Sequence, residues 1–218
     1  MFKDRFDAGR QLAKALQHYK NRDGVILAVP RGGVEIGYIV AKELELPLEI
    51  VLSKKIGHPH HSEFAIGAVS LEGRVVTERS DVSDEYIEQE TGRLRHLLRE
   101  RYKKYYGERK PANLEDKIVI VVDDGIATGN TLLSTIELIR HHNPRWVVVA
   151  VPVAPPDSLR HIEEAKGVDE VVCLLSPRDF YAVGQFYENF DQVEDKEVIR
   201  LLHEVWQSRH RGGKPLVM

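Results

Sequence analysis

Five short runs rich in Val and Ile, at residues 25–29, 48–52, 117–123, 145–151 and 170–175, punctuate a chain otherwise patterned for helices. None shows the strict apolar–polar alternation of a strand with one wet face. Such runs suit strands covered on both faces, as in a parallel sheet. Residues 4–19, 33–44, 83–106, 131–142, 156–166 and 195–207 are the helix candidates around them. The alternation predicts right-handed βαβ units and an α/β fold: a doubly wound, mostly parallel central sheet flanked by helices. One segment breaks the rhythm. Residues 65–78, "AIGAVSLEGRVVTE", read as a β-hairpin turning at Glu72-Gly73.

The run at 117–123 ends on two neighbouring carboxylates, Asp123 and Asp124, followed by "GIATGNT" and a helical pattern. In open α/β sheets, ligands bind beyond the carboxyl ends of the strands. A helix cap needs one carboxylate, whereas two at the end of so apolar a strand repel each other. The small residues behind them place backbone N–H groups and hydroxyls at a helix N-terminus, an arrangement that binds phosphate. The lysine of a Walker A loop is absent. Acids that accept from hydroxyls, beside a phosphate cradle, describe a sugar-phosphate site.

With those residues in view, "VVDDGIATGNTL" resembles the 5-phosphoribosyl-1-pyrophosphate signature of the type I phosphoribosyltransferases. The resemblance covers roughly residues 24–175. It implies that Asp123 and Asp124 take the ribose 2′- and 3′-hydroxyls. The stretch Ala127, Thr128, Gly129, Asn130 and Thr131 would wrap the 5′-phosphate. A second segment, "ILAVPRGGVEIG", is similar to the family's pyrophosphate loop, with Arg31, Gly32 and Gly33 as the anion-binding residues, although Arg-Gly-Gly is also a common turn. The resemblance further implies a cis peptide bond between Pro30 and Arg31. A third segment, "LSKKIGHP", resembles the basic segment that leads into the family's mobile loop. Lys54 and Lys55 would then face the pyrophosphate, unless they are only a solvated lysine pair.

On this reading the chain is one domain, residues 1–218, with a core at about 20–175. A mobile loop and helix insertion spans about 57–111 and includes His58, His60, His61 and Glu63. "HPHH" lacks the i, i+4 spacing of a helical metal site, so loop polarity explains it better. In residues 83–106, Ile87, Leu94, Leu98, Tyr102 and Tyr105 form a packing stripe. A hood over the base is expected at about 176–207, where Phe180, Tyr181, Phe186 or Tyr187 could stack on a ring or simply close the core. The tail, 208–218, carries Gly-Gly and Pro, which oppose regular structure.

The resemblance implies displacement of pyrophosphate from the anomeric carbon by a ring nitrogen, with Arg31, Lys55, Asp123 and Asp124 as the catalytic set. Mg²⁺ is the implied cofactor, met by Asp123 and Asp124 mostly through ribose or water. The enzymes acting on hypoxanthine and guanine carry an acid where Ala127 stands, so the acceptor is expected to be another base. A homodimer is expected. The alternative is a regulator that senses phosphoribosyl pyrophosphate and binds nucleic acid, supported only by the basic segment at residues 93–110. A net charge of -3 argues against nucleic acid. No apolar run approaches the roughly 20 residues of a membrane span. The start "MFKDRFDAGR" has no apolar signal segment, and the lone Cys173 in "EVVCLLS" reads as a small core residue, so the cytoplasm is the expected location.

Overall fold

The computed structural model describes residues 1–76 and 81–211, with only the backbone of 62–63 and 209–211. In chain order the elements are α1 (Arg5–Ala15), β1 (Gly24–Ala28), α2 (Gly32–Leu44), β2 (Leu48–Ile50), β3 (Ser53–His58), β4 (His61–Ser70), β5 (Arg74–Val76), α3 (Asp84–Tyr106), β6 (Ile118–Val122), α4 (Asn130–Arg140), β7 (Trp146–Val153), α5 (Pro156–Glu163), β8 (Glu170–Leu175) and α6 (Asp195–Arg211). The central sheet has the order β2-β1-β6-β7-β8, and every pairing in it is parallel.

Both faces of this sheet are covered, as the lack of alternation requires. On β6, Ile120 and Val122 join the core under α1, α2 and α6, while Val119 and Val121 join the core under α4 and α5. Asp4 caps α1 by accepting the Asp7 N–H. Ser83 caps α3 through the Tyr86 N–H. On α3, Ile87, Leu94, Leu98 and Tyr105 are buried and Tyr102 is half-buried, so the stripe does pack.

The expectation for residues 53–58 needs correcting. The segment that reads as a basic lead into a loop is strand β3, antiparallel to β4, which pairs in turn with β5. Only Ile56 among these residues is a strong strand former, and β4 supplies the ladder that the local sequence does not announce. The expected turn at Glu72-Gly73 is present between β4 and β5, while the end of the predicted hairpin, 77–78, lies outside the described residues. The three strands and α3 share a separate core of Ile56, Ile66, Val69, Val82, Ile87, Leu94 and Leu98. The insertion therefore carries its own packing and is more than a long loop.

Helix α6 also runs further than expected, through Arg211 and into the predicted tail. Its buried face, Val198, Leu201, Leu202, Val205 and Trp206, joins the α2 core. Trp206 Nε1 donates to the Leu48 carbonyl at 3.0 Å, which covers the outer edge of β2. Residues 212–218 lie outside the described residues.

Candidate active site

Strands β1 and β6 are direct neighbours, with Ala28 opposite Val122, so the loops leaving them share one end of the sheet. The Val29 N–H donates to the Val122 carbonyl at 2.8 Å and extends the ladder one residue further. Beyond it the Pro30–Arg31 peptide bond is cis, as the resemblance implies. Gly32 and Gly33 then open α2. Their lack of a side chain is required by the other loop. A Cβ on Gly32 would lie 1.9 Å from Asp124 Oδ2, and one on Gly33 would lie 2.9 Å from the Asp123 Cα and from the Val122 carbonyl oxygen. The two loops therefore meet backbone against carboxylate.

Asp123 and Asp124 are both partly buried at this junction. The Asp124 N–H donates to Asp123 Oδ1 at 2.8 Å. Burial raises the Asp123 carboxyl well above the ordinary carboxylate range, and the neighbouring Asp124 charge raises it further. Asp124 has a dedicated partner that sequence reasoning missed. Arg5, on the first turn of α1, donates from Nε to Asp124 Oδ2 at 2.8 Å and from Nη1 to the Asp191 carbonyl at 2.8 Å. Its guanidinium lies 3.8 Å from the centroid of the Phe190 ring. Tyr187 donates its hydroxyl to the Asp124 carbonyl at 2.6 Å, and burial raises its pKa. Phe2 lies alongside Tyr187 in a parallel bridge. The N-terminus and the segment after β8 thus close on the acids together. The contacts join residues far apart in the chain, so no local pattern pointed to them.

The loop after the acids is built to leave its polar groups outward. Ile126 is buried, and its N–H donates to the Val153 carbonyl at 2.9 Å. Gly129 stands at φ +79°, the left-handed region that favours glycine, and leads into α4. Ala127, Thr128, Asn130 and Thr131 are exposed. The first N–H groups of α4 have no intrahelical acceptor by the geometry of any helix start, so an anion can meet them.

A family profile described as the phosphoribosyl transferase domain matches residues 3–190, taking in α1, both loops and Tyr187. The chain belongs to the phosphoribosyl transferase family. It is 39% identical over 219 residues to "Putative phosphoribosyl transferase Rv0571c" of Mycobacterium tuberculosis H37Rv, covering 98% of this chain and 49% of that protein. The corresponding protein of strain CDC 1551 matches with the same figures. The chain therefore spans about half the length of the curated relatives it matches. Among solved structures it is similar to TT1426 from Thermus thermophilus, with a TM-score of 0.85 and 39% identity, covering 93% of this chain and 98% of that one.

Within this phosphoribosyl transferase domain the remaining candidates take different places. Arg31 lies near one acid: its Nη1 is 3.9 Å from Asp195 Oδ1 at the start of α6. Asp195 also accepts from Lys104 Nζ at 2.6 Å and the Tyr105 hydroxyl at 2.5 Å, contacts that hold its carboxyl below the usual range. Burial, then the bond to Asp195, pushes Tyr105 up to about 12. Lys54 and Lys55 sit on β3 opposite Val69 and Ala68, and the start of that strand is tied to α4 by a 3.0 Å contact between the Ser53 and Thr135 hydroxyls.

The histidines occupy the β3–β4 turn. His58 Nε2 lies 3.0 Å from Asp81 Oδ2, and the His58 and His61 rings stack at 5.7 Å. Glu63 is described by its backbone alone. The hood aromatics divide. Phe186 and the buried Tyr187 pack on the core and Phe180 stacks on Phe186 at 5.4 Å, whereas Tyr181 is 90% exposed. In the basic segment at residues 93–110, three cations pair with acids: Arg93 with Glu90, Lys104 with Asp195 on α6 and Arg109 with Glu49 on β2. The nucleic-acid alternative gains no support. No helix among the described residues is long and apolar enough to cross a membrane.

Proposed function

We propose that this domain binds 5-phosphoribosyl-1-pyrophosphate and transfers its phosphoribosyl group to a nitrogenous base. The supporting observation is the Asp123–Asp124 pair at the carboxyl end of β6, set against the backbone of Gly32 and Gly33. Two adjacent acids in so confined a place are useful to a ligand that brings hydroxyls and a cation. In this reading Asp123 and Asp124 accept from the ribose hydroxyls. Arg5 holds Asp124 Oδ2, so Oδ1 is the oxygen assigned to the sugar. The Ala127–Thr131 backbone, with the Thr128 and Thr131 hydroxyls, takes the 5′-phosphate. Arg31, Gly32 and Gly33, with Lys54 and Lys55 from β3, take the pyrophosphate.

The reaction forms a bond from a ring nitrogen to the anomeric carbon while the bond from that carbon to the pyrophosphate oxygen breaks. The leaving oxygen carries the electron pair away, and the proton on the acceptor nitrogen passes to solvent. The transition state has oxocarbenium character, so the protein acts by positioning and by stabilising the leaving charge. The donor set fits Mg²⁺: hard carboxylate oxygens, and at Asp123 a burial-raised carboxyl whose negative charge a cation would offset. When bound, the ion would neutralise charge on the pyrophosphate and ribose oxygens, with Asp123 and Asp124 holding it mostly through the sugar or water.

The acceptor is assigned as a base other than hypoxanthine or guanine, because Ala127 offers no side-chain hydrogen bond to a 6-oxopurine. Tyr181, exposed beside the Phe180–Phe186 stack, is the candidate for covering the ring. Pyrophosphate release from phosphoribosyl pyrophosphate and Mg²⁺ across a panel of bases tests both parts. Release with one base, and none with guanine, is expected. No release with any base, together with no binding of phosphoribosyl pyrophosphate, ends the reading. Efficient use of guanine overturns the acceptor assignment alone.

A further inference from the structure

Helix α5 packs against the loop that follows the two acids, and one of its side chains reaches across to that loop. Ser158 Oγ, in the first turn of α5, donates to the Ala127 carbonyl at 2.5 Å. A serine near a helix start ordinarily spends its hydroxyl on neighbouring backbone. Here the acceptor lies 31 residues away. Solvation does not explain the contact, because the bond lies at the surface, where water could serve the carbonyl equally well. What the hydroxyl adds is direction.

The consequence falls on the next N–H group. The Ala127–Thr128 bond is trans, since the cis bond among the described residues is Pro30–Arg31. In a planar trans peptide unit the C=O and the following N–H point in opposite directions. With its carbonyl turned to α5, the unit presents the Thr128 N–H on the other side. That N–H donates to no backbone carbonyl among the described residues. Two further contacts fix the loop on either side of this unit. The Ile126 N–H donates to the Val153 carbonyl at 2.9 Å. Gly129 lies against Ile162, where a Cβ would come within 3.2 Å of Cδ1. Ser158 and Ile162 are four residues apart, so they share one face of α5. That face meets the loop twice, once by packing and once by a directed hydrogen bond.

We propose that Ser158 is a positioning residue for the 5′-phosphate of the ligand. By holding the Ala127 carbonyl, it aims the Thr128 N–H at the anion before the anion arrives. This rests on the reading of residues 127–131 as the 5′-phosphate loop. Ser158 touches no reacting atom and acts only through the Ala127–Thr128 peptide unit. A donor fixed in advance costs no reorganisation when the phosphate binds. The pyrophosphate end of the ligand, assigned to Arg31, Gly32 and Gly33, does not depend on this unit.

The test is titration calorimetry on the full chain with three probes: ribose 5-phosphate, inorganic pyrophosphate with Mg²⁺, and phosphoribosyl pyrophosphate with Mg²⁺. Ser158→Ala should weaken ribose 5-phosphate about fivefold, the scale of one hydrogen bond, and phosphoribosyl pyrophosphate to match. Pyrophosphate should bind as it does to the parent. Ser158→Thr keeps the hydroxyl and should recover most of the ribose 5-phosphate affinity. A purely structural role would lower the melting temperature and move both half-ligands together, or neither. Unchanged ribose 5-phosphate binding in Ser158→Ala overturns the proposal. So does an equal loss for pyrophosphate, or no recovery in Ser158→Thr. A parent that binds phosphoribosyl pyrophosphate but not ribose 5-phosphate overturns it and leaves the transferase reading in place. A parent that binds none of the three probes ends both.

Discussion

Arg5 Nε and Asp124 Oδ2 stand 2.8 Å apart, joining the first turn of α1 to the end of β6 across 119 residues of chain. Arg5 is 7% exposed, and its guanidinium also binds the Asp191 carbonyl and lies over Phe190. It fixes one acid of the proposed ribose site and ties the closing segment to it.

Arg5→Ala removes this partner and leaves a partly buried carboxylate uncompensated, so a loss of about 3 kcal/mol is expected. Arg5→Lys recovers only part of it, because an ammonium cannot bind two oxygens and stack at once. Urea unfolding of the three proteins measures the loss. Weaker binding of phosphoribosyl pyrophosphate should accompany it, since Asp124 is no longer held in place.

Asp123→Asn should separate stability from function. The folded carboxyl is raised, so the folded state binds its proton more tightly than the unfolded chain does. Its contribution is therefore full below the unfolded value, near 3.9, and is lost as pH rises through the raised folded value. At neutral pH the asparagine variant should melt higher, on the order of 2–4 °C per kcal/mol relieved. That gap should close as the pH falls toward 4. Melting curves between pH 4 and 8 check the sign, and a variant less stable than the parent at pH 7.5 contradicts it.

The double variant Asp123→Asn, Asp124→Asn should stay folded and lose phosphoribosyl pyrophosphate binding. Titration calorimetry with Mg²⁺ present reads this directly. Unchanged affinity removes both acids from the site.

Gly32→Ala places a Cβ 1.9 Å from Asp124 Oδ2, closer than any real contact, so the carboxylate must leave its position against Arg5. Binding should weaken by more than tenfold, and the thermal midpoint should fall. Gly92→Ala on α3, where an added Cβ meets nothing within 4 Å, serves as the control and should change binding little.

Much of this domain could be read from contiguous residues. The five central strands were legible because a strand buried on both faces needs an apolar run. The loop from Asp123 to Thr131 was legible because two acids, small residues and hydroxyls do their work within one strand–loop–helix unit. The Gly32-Gly33 turn belongs with these. What local sequence could not show was why those glycines are needed: the clash is with Asp124 on another loop, and only the pairing of β1 with β6 brings the two together.

The sequence by itself determined the succession of the five central strands and the helices between them, and the chemistry of the sugar-phosphate loops, since periodicity and loop composition are local properties. Tertiary structure decided the rest. It made a strand of residues 53–58 by giving them β4 as a partner, and it seated one face of α6 on the α2 core. It also brought Arg5 and Tyr187 onto Asp124, and Arg109 onto Glu49. Those outcomes depend on where distant segments meet, and a charge at position 5 has no meaning for the site until the chain's path supplies its partner.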